Sequence, residues 1–319
     1  MKFLPPSLPE VGGRSADIAF LHFKNQTVRR FFVKRFVPVV IVLVFCALSF
    51  AQIPSAARVH TQAETAVSLT PKSAAESASH RPPSSADCVF TFSSGADNTF
   101  LKFCVTATAN VTVFESPAGQ EHIAVGLDGE GYGVCDLNSG VAYFDYAERG
   151  DSGNWGQPTV VSQTPTSVKI ARTTSDDRWT LTQTFTQVAG LSPSAKITMT
   201  LTNNTAKNRI GVLLRYADVD AAGVSLNNLD STLQSAFGWN SVGTTNTPYG
   251  LVLQNLGNPP AGLFGGLAEG VPGGPDPCNP AANEVSGPVT ATDGSIVMVY
   301  ELRIPASKSK TVTVRYRGF

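Results

Sequence analysis

The sequence predicts an all-β protein: a large antiparallel sandwich of two packed sheets that follows a disordered N-terminal region. Three observations support this fold class. Apolar and polar residues alternate with period two over many short segments, turn-forming residues separate these segments, and no amphipathic helix of useful length occurs. The alternating segments number about fourteen, which favours two packed sheets over a small barrel.

The chain begins with a segment typical of protein export. The apolar run 36–51 follows Lys34 and Arg35, and it is shorter than the ~20 residues that a membrane span needs. We interpret residues 1–51 as an n-region and signal peptide cleaved after Ala51, with residues 1–32 as a mis-assigned start. An uncleaved signal anchor is the alternative. In the mature form we expect no membrane span.

Residues 52–86 are predicted to be a disordered linker. They are rich in Ala, Ser, Pro and Thr and show no apolar periodicity, so they cannot bury enough surface to offset the entropy of ordering. The folded domain is therefore predicted to span residues 87–319. Residues 88–319 carry fourteen Lys and Arg against nineteen Asp and Glu, which gives a net charge of −5. This charge predicts no nucleic-acid partner, because such partners need a clustered basic face.

The strand pattern is clearest in the second half of this domain. Turn residues at 203–208 and 305–309 separate neighbouring segments, as expected for hairpins. Leu226–Phe237 is the one segment with room for one or two helical turns. Five segments alternate most regularly, and they are Trp179–Thr186, Lys196–Thr202, Ile210–Tyr216, Ile296–Ile304 and Val312–Tyr316.

Four cysteines follow the predicted signal peptide, and an even number in an exported chain indicates two disulfides. A hairpin folded about Ala96 places Cys88 opposite Cys104 and Phe92 opposite Phe100. This register predicts a Cys88–Cys104 bridge, which closes a loop of about 15 residues and stabilises the fold by ~3 kcal/mol.

Residues 257–288 are predicted to form a long loop, because they contain eight glycines and seven prolines. The second disulfide, Cys135–Cys278, follows by elimination and would fasten this loop to the sheet. A zinc site is not predicted, since CxxC spacing is absent and His122 is the only histidine in the domain.

The stretch 215–240 concentrates acids and amides. Asp218, Asp220 and Gly223 match positions one, three and six of an EF-hand loop, but Ala222 and Leu229 stand where oxygen ligands are required. A calcium site of another geometry remains an interpretation, beside a solvated loop whose acids bond their own backbone and a catalytic dyad. The side chains available to calcium are Asp218, Asp220, Asp230 and Asn227.

A second polar stretch, 143–156, mixes acids with aromatic residues. Sugar rings pack their C–H faces on aromatic side chains, which makes Tyr143, Tyr146 and Trp155 candidate ligand-binding residues. A glycosidase would instead need two carboxylates at a fixed separation. An ordinary surface loop is the third interpretation. The candidate acids are Glu130, Asp145, Glu148 and Asp151.

Two pairs of segments resemble a known group of proteins. Glu115–Ile123 with Gly129–Cys135, and Leu214–Asp220 with Ser235–Asn240, resemble exported bacterial proteins that have no assigned activity, over residues 88–319. The unit of strand, Asn-Asn-Thr turn and strand ending in Tyr-x-Asp-x-Asp is also similar to supersandwich proteins of the galactose-mutarotase type. The resemblance implies a supersandwich-like fold, and it brings no catalytic residues.

Together these features predict an exported β-sandwich protein that binds a glycan or a cell-envelope surface without catalysis. Two alternatives are a carbohydrate-active enzyme, hydrolase or epimerase-like, and a purely structural envelope protein. The expected location is secreted, periplasmic or at the cell surface. The one cofactor considered is Ca²⁺, for which the acids and amides of the stretch 215–240 are candidate ligands.

Overall fold

The computed structural model describes residues 88–123, 129–147, 150–240, 248–257, 264–269, 274–280 and 288–319. All of them belong to one unit, Ser68–Phe319. These residues form eighteen strands and two short 3₁₀ turns, Asp97–Thr99 and Ala221–Gly223, and they contain no α-helix. The prediction of an all-β fold is confirmed. None of the described segments is a helix long and apolar enough to cross a membrane.

The strands form three antiparallel sheets. A small sheet has the order β1-β2-β3, a six-stranded sheet has the order β15-β17-β11-β4-β5-β6, and a nine-stranded sheet has the order β16-β12-β13-β14-β18-β10-β9-β8-β7. The strands are β1 (Phe90–Ser94), β2 (Leu101–Val105), β3 (Val111–Glu115), β4 (Glu130–Asp136), β5 (Val141–Tyr146), β6 (Gly150–Asp151), β7 (Thr159–Thr164), β8 (Ser167–Thr173), β9 (Trp179–Val188), β10 (Ser194–Asn203), β11 (Arg209–Asp218), β12 (Asn227–Thr232), β13 (Ser235–Asn240), β14 (Tyr249–Asn255), β15 (Phe264–Glu269), β16 (Val289–Thr292), β17 (Gly294–Ile304) and β18 (Ser309–Gly318).

The two large sheets pack face to face as a sandwich. Alternation along β9 buries Trp179, Leu181 and Phe185, while the threonines between them lie on the solvent side. The six-stranded sheet contributes Leu213 and Met298 to the same core. Because side chains point to alternate faces of a strand, the alternation read from the sequence along β9 places its apolar residues inside.

The six-stranded sheet is also covered on its other face. Val212, Leu214 and Tyr216 form a second apolar cluster there with Tyr146. The segment 274–280 lies on this cluster: Pro277 contacts the open side of Gly133, and the Tyr146 hydroxyl donates to the Pro275 carbonyl. The Cys135–Cys278 disulfide joins this segment to β4.

The first disulfide joins Cys88 to Cys104, but the hairpin register around it differs from the predicted one. Thr91 faces Cys104, and Phe92 faces Phe103 rather than Phe100. The connection is longer than predicted because residues 95–100 form the turn. Cys88 therefore lies just outside the strand and still reaches its partner.

Two further expectations from the sequence are wrong. Leu226–Phe237 contains no helical turn, because residues 227–240 form the β12–β13 hairpin. Residues 257–288 are not one continuous loop, since Phe264–Glu269 is strand β15 paired with β17. This strand lies at the edge of its sheet. An edge strand tolerates glycine, and the proline residues that lack a backbone N–H donor, better than a central strand does.

Candidate functional site

Glu130, a predicted catalytic acid, lies in the interior between the two large sheets. Its Oε1 is 2.5 Å from Nε of Arg215 and accepts from the Tyr316 hydroxyl at 2.8 Å, while Oε2 accepts from the Val111 N–H at 2.6 Å. Glu130 and Arg215 are both fully buried. Burial raises the pKa of Glu130, and the adjacent guanidinium offsets part of this effect. The carboxylate therefore links the sheets and does not face a groove.

Asp145 and Asp151 face each other across β5 and β6, and Arg172 bridges them. The Asp145 carboxylate also accepts from the Asn110 side-chain amide at 2.7 Å, and burial raises the pKa of its carboxyl group. Both carboxylates are thus partners of one guanidinium. The Asp145 carboxylate is enclosed beside this guanidinium, whereas the Asp151 side chain is 28 % exposed. Glu148 lies outside the described residues.

The three aromatic residues predicted to bind a ligand are enclosed. Tyr143 and Tyr146 are 1 % exposed, and Trp155 is 7 % exposed. The Trp155 ring packs edge-on against Tyr132 and Tyr143, and the Arg172 guanidinium lies 5.4 Å from its centroid. The alternation of β5 turns Tyr143 into the sandwich, and Tyr146 packs in the second apolar cluster on the other face of the sheet. These rings therefore pack against the protein and offer no open face to a sugar.

The predicted calcium ligands do not converge. Asp218, Asp220 and Asp230 do not form a group that could hold a metal ion, and no such group of His, Cys, Asp and Glu occurs among the described residues. The Asn227 side-chain nitrogen donates to the carbonyls of Val219, Val224 and Ser225. Its amide therefore closes the connection between β11 and β12. Asp230 lies on β12, which belongs to a different sheet from β11.

A different part of the molecule carries half-buried aromatic residues on a solvent-facing strand surface. On β13 the side chains of Phe237 and Trp239 point away from the core, since Ala236, Gly238 and Asn240 between and beside them are buried. The two rings stack with centroids 5.7 Å apart and an interplanar angle of 29°. They form an aromatic surface on the solvent side of the nine-stranded sheet.

The ring of Phe319 extends this surface. Phe319 exchanges two backbone hydrogen bonds with Gly250, of 3.0 and 3.1 Å, and Gly250 faces Trp239 across the β13–β14 pair. A Cβ atom on Gly250 would lie 2.4 Å from Cζ of Phe319, so the missing side chain makes room for the ring. Phe319 is 39 % exposed. We call Phe237, Trp239 and Phe319 the aromatic platform.

Polar side chains flank the platform in register. Asp230 faces Phe237, which faces Val252, which faces Arg317, so the four form one row across the sheet. Rows along a sheet face repeat every two residues, or about 6.7 Å, and strands lie about 4.8 Å apart. Asp230 Oδ1 accepts from the Ser231 N–H, and Oδ2 has no hydrogen-bond partner within the described residues. A carboxylate and a guanidinium thus border the rings.

The sequence contains the signal for half of this site. Phe237 and Trp239 alternate with small residues, which is typical of a strand with one exposed aromatic face. Leu226–Phe237 also has the composition for one or two helical turns, and this competes with the strand pattern. Phe319 and Gly250 are 69 positions apart, and only their pairing in the folded sheet brings them together.

No family model matches the chain, and no curated protein matches it. Solved structures that align with it include a protein assigned as an aldose 1-epimerase from Escherichia coli K12. That alignment has a TM-score of 0.42 and 10% identity, and it covers 72% of this chain and 99% of that chain.

Two larger proteins align as well. A protein assigned as a kojibiose phosphorylase from human microbiome has a TM-score of 0.39 and 9% identity, over 73% of this chain and 30% of that chain. A bacterial glucoamylase complexed with acarbose has a TM-score of 0.40 and 10% identity, over 72% and 33%. This chain spans about a third of their length.

Proposed function

We propose that this chain is an exported protein that binds a glycan or a polysaccharide of the cell envelope through the aromatic platform, without catalysis. The observation that carries the proposal is the stacked Phe237–Trp239 pair, half-buried on the solvent side of the nine-stranded sheet. Aromatic faces pack against the C–H face of a sugar ring, and the rings are rigid, so little entropy is lost on binding. Asp230 and Arg317 then supply an acceptor and donors for sugar hydroxyls.

Two features support export. Four cysteines form two disulfides, which persist in oxidising compartments and are rare in the cytosol. The apolar segment 36–51 has the composition of a signal peptide. We propose on this basis that the domain functions outside the cytoplasm, secreted, in the periplasm or at the cell surface.

The burial and ion pairing of two candidate catalytic acids favour binding over hydrolysis. Glu130 and Asp145 are buried and each contacts an arginine. A hydrolytic pair needs one carboxyl group beside the scissile bond and a second that reaches the sugar or a water. The platform is bordered by a single carboxylate, Asp230, within the described residues, so it has the composition of a binding surface.

The test is affinity electrophoresis and calorimetry of the full oxidised chain against a panel of soluble and insoluble polysaccharides. We expect one class of glycan to bind and Trp239→Ala to weaken it by about tenfold or more, because a stacked ring contributes on the order of 1 kcal/mol beyond its buried area. Leu191→Ala is the matched control, since Leu191 is 96 % exposed and lies in the β9–β10 turn.

The same samples are analysed for released reducing ends. Binding without release supports the proposal. Release of sugar by the wild-type chain would favour the enzyme, and the absence of binding to every glycan would favour a purely structural envelope protein.

A further inference from the structure

A cavity lies where three turns of the sandwich meet, and the proposed function does not use it. Its volume is about 340 Å³. Asn138 from the β4–β5 turn, Asn208 and Ile210 at the start of β11, and Arg303 and Pro305 at the end of β17 contribute to its lining. We call it the strand-end cavity. It is formed by residues other than those of the aromatic platform.

Two asparagine side chains line the cavity, and in each the amide oxygen is bonded to the backbone while, in the described part of the chain, the NH₂ group is not. Asn138 Oδ1 accepts from the Ile210 N–H at 2.8 Å, and Asn208 Oδ1 accepts from the Ala306 N–H at 3.1 Å. Each backbone bond fixes the oxygen end of its amide. Neither side-chain nitrogen has a partner within the described residues. The NH₂ groups are thus the ends that remain to bind a ligand, and they only donate.

The charged side chains that line the cavity are both arginines. Arg303 is 77 % exposed at its side chain and pairs with Glu301 at 3.1 Å. An exposed pair of this kind is worth no more than about 1 kcal/mol, so the guanidinium can exchange its partner. Arg209 is held by Asp136 at 2.5 Å and by the Thr205 hydroxyl at 3.2 Å. Asp136 is buried and Glu301 is not part of the lining.

The lining also has an apolar part, which can contact the ring face of a ligand. Ile210 and Arg303 face each other across β11 and β17, so their side chains share one face of the sheet. Pro305 adds a second apolar surface. A ligand that fits such a lining combines an apolar ring face with an oxyanion, because carboxylates and sulfates only accept hydrogen bonds while the free amide and guanidinium groups donate.

We propose that the strand-end cavity binds an acidic sugar, one that carries a carboxylate or a sulfate, through Arg303, Asn138 and Asn208. This site is separate from the aromatic platform. A neutral sugar is a poorer ligand, since its hydroxyl protons find no carboxylate in the lining and would have to use the second lone pairs of amide oxygens already bound to the backbone.

The experiment is isothermal titration calorimetry of the full oxidised chain at low salt with three probes: trigalacturonate, its methyl ester, and a sulfated disaccharide. At least one acidic probe should bind, and trigalacturonate should bind about tenfold or more tightly than its ester if the carboxylate is the recognised group, since a hydrogen bond to a charged group is worth about 1.5–3 kcal/mol. Binding of the sulfated probe alone would assign sulfate as the oxyanion. Equal binding of the ester and both acids, or no binding of either acid, would overturn the proposal.

Variants locate the site. Arg303→Gln and Asn208→Asp should each weaken the acidic probe about tenfold, and Asn208→Asp keeps the oxygen that bonds to Ala306 while it removes the donor. Glu301→Gln should strengthen binding, because it releases Arg303. Lys102→Gln removes an equal charge in the small sheet and should have no effect. An equal loss in Lys102→Gln would show attraction by overall charge and would refute the site.

The platform provides the last control. Trp239→Ala should leave acidic-sugar binding at the cavity unchanged. If it abolishes binding of the acidic probe, the ligand lies on the platform and the cavity proposal fails while the proposed function stands.

Discussion

Gly250 lies directly beneath the ring of Phe319, and this pair sets the extent of the aromatic platform. A Cβ atom added at Gly250 would lie 2.4 Å from Cζ of Phe319 and 2.6 Å from the Gly238 carbonyl oxygen. Contacts this short force the neighbours to move. The exposed face of the sheet therefore depends on a position with no side chain.

Replacement of Gly250 tests this relationship. Gly250→Ala should displace the Phe319 ring, lower the free energy of unfolding by about 1–3 kcal/mol and weaken glycan binding. Denaturant unfolding and calorimetry measure both effects. Gly257→Ala is the control, since nothing lies within 4 Å of an added Cβ there. Full binding by Gly250→Ala would show that Phe319 does not contribute to the site.

The buried Glu130–Arg215 pair should be a structural element. Arg215→Met leaves a carboxylate unpaired in the core and should cost about 3–5 kcal/mol in urea unfolding. Glu130→Gln/Arg215→Met removes both charges and should recover part of that loss. Arg303→Met, which breaks an exposed pair, should cost less than about 1 kcal/mol. If Arg215→Met is as stable as the wild type, the pair does not hold the sheets together.

The two disulfides should contribute unequally. They link residues 143 and 16 positions apart, and the chain-entropy model gives about 5 and about 3 kcal/mol for loops of these lengths. We therefore expect Cys135→Ala/Cys278→Ala to lower the melting temperature more than Cys88→Ala/Cys104→Ala. Thermal unfolding of both double variants under non-reducing conditions measures the order. The reverse order would mean that the segment 274–280 adds strain or that the unfolded chain retains structure.

His122 should make stability depend on pH. It is fully buried, its Nε2 lies 2.7 Å from the Ser116 carbonyl, and burial lowers its pKa from 6.5 to about 4. The unfolded chain therefore takes up the proton first. The stability due to neutral His122 is complete above pH 6.5 and is lost as the pH falls toward about 4, a change of roughly 3 kcal/mol.

The measurement is the difference in the free energy of unfolding between wild type and His122→Gln at several pH values. Carboxyl groups with raised pKa change stability in the opposite direction, but they are common to both proteins and cancel in the difference. The difference should fall as the pH falls through this window. A difference that is constant with pH would contradict the assignment.

The sequence predicts the fold well, because period-two alternation translates directly into the inward and outward faces of long strands such as β9 and β10. It also predicts the disulfide pairs, since four cysteines allow few connectivities. It does not predict the register at Phe92, because the length of the turn at residues 95–100 depends on backbone geometry. It does not predict the burial of Trp155 either. The composition of a loop rich in acidic and aromatic residues is the same whether its rings point outward or inward.

The candidate site is harder to predict for a physical reason. The platform joins β13, β14 and the residue after β18, and the strand-end cavity joins three turns. No single segment has a pattern that indicates a binding site. The side chains of each site come together only when strands distant in the sequence are paired. Glu130 shows the converse: an acid in a glycine-rich segment resembles a catalytic residue in the sequence, but the paired sheets enclose it beside Arg215.

Tryptophan fluorescence of the full oxidised chain during titration with a binding glycan tests the role of the platform most directly. Of the three tryptophans, Trp155 and Trp179 are buried, and Trp239 is half-exposed on the platform. We expect the glycan to protect the emission from acrylamide quenching in a saturable way, and Trp239→Phe to remove this change. A change of the same size in Trp239→Phe would place the ligand elsewhere and contradict binding at the platform.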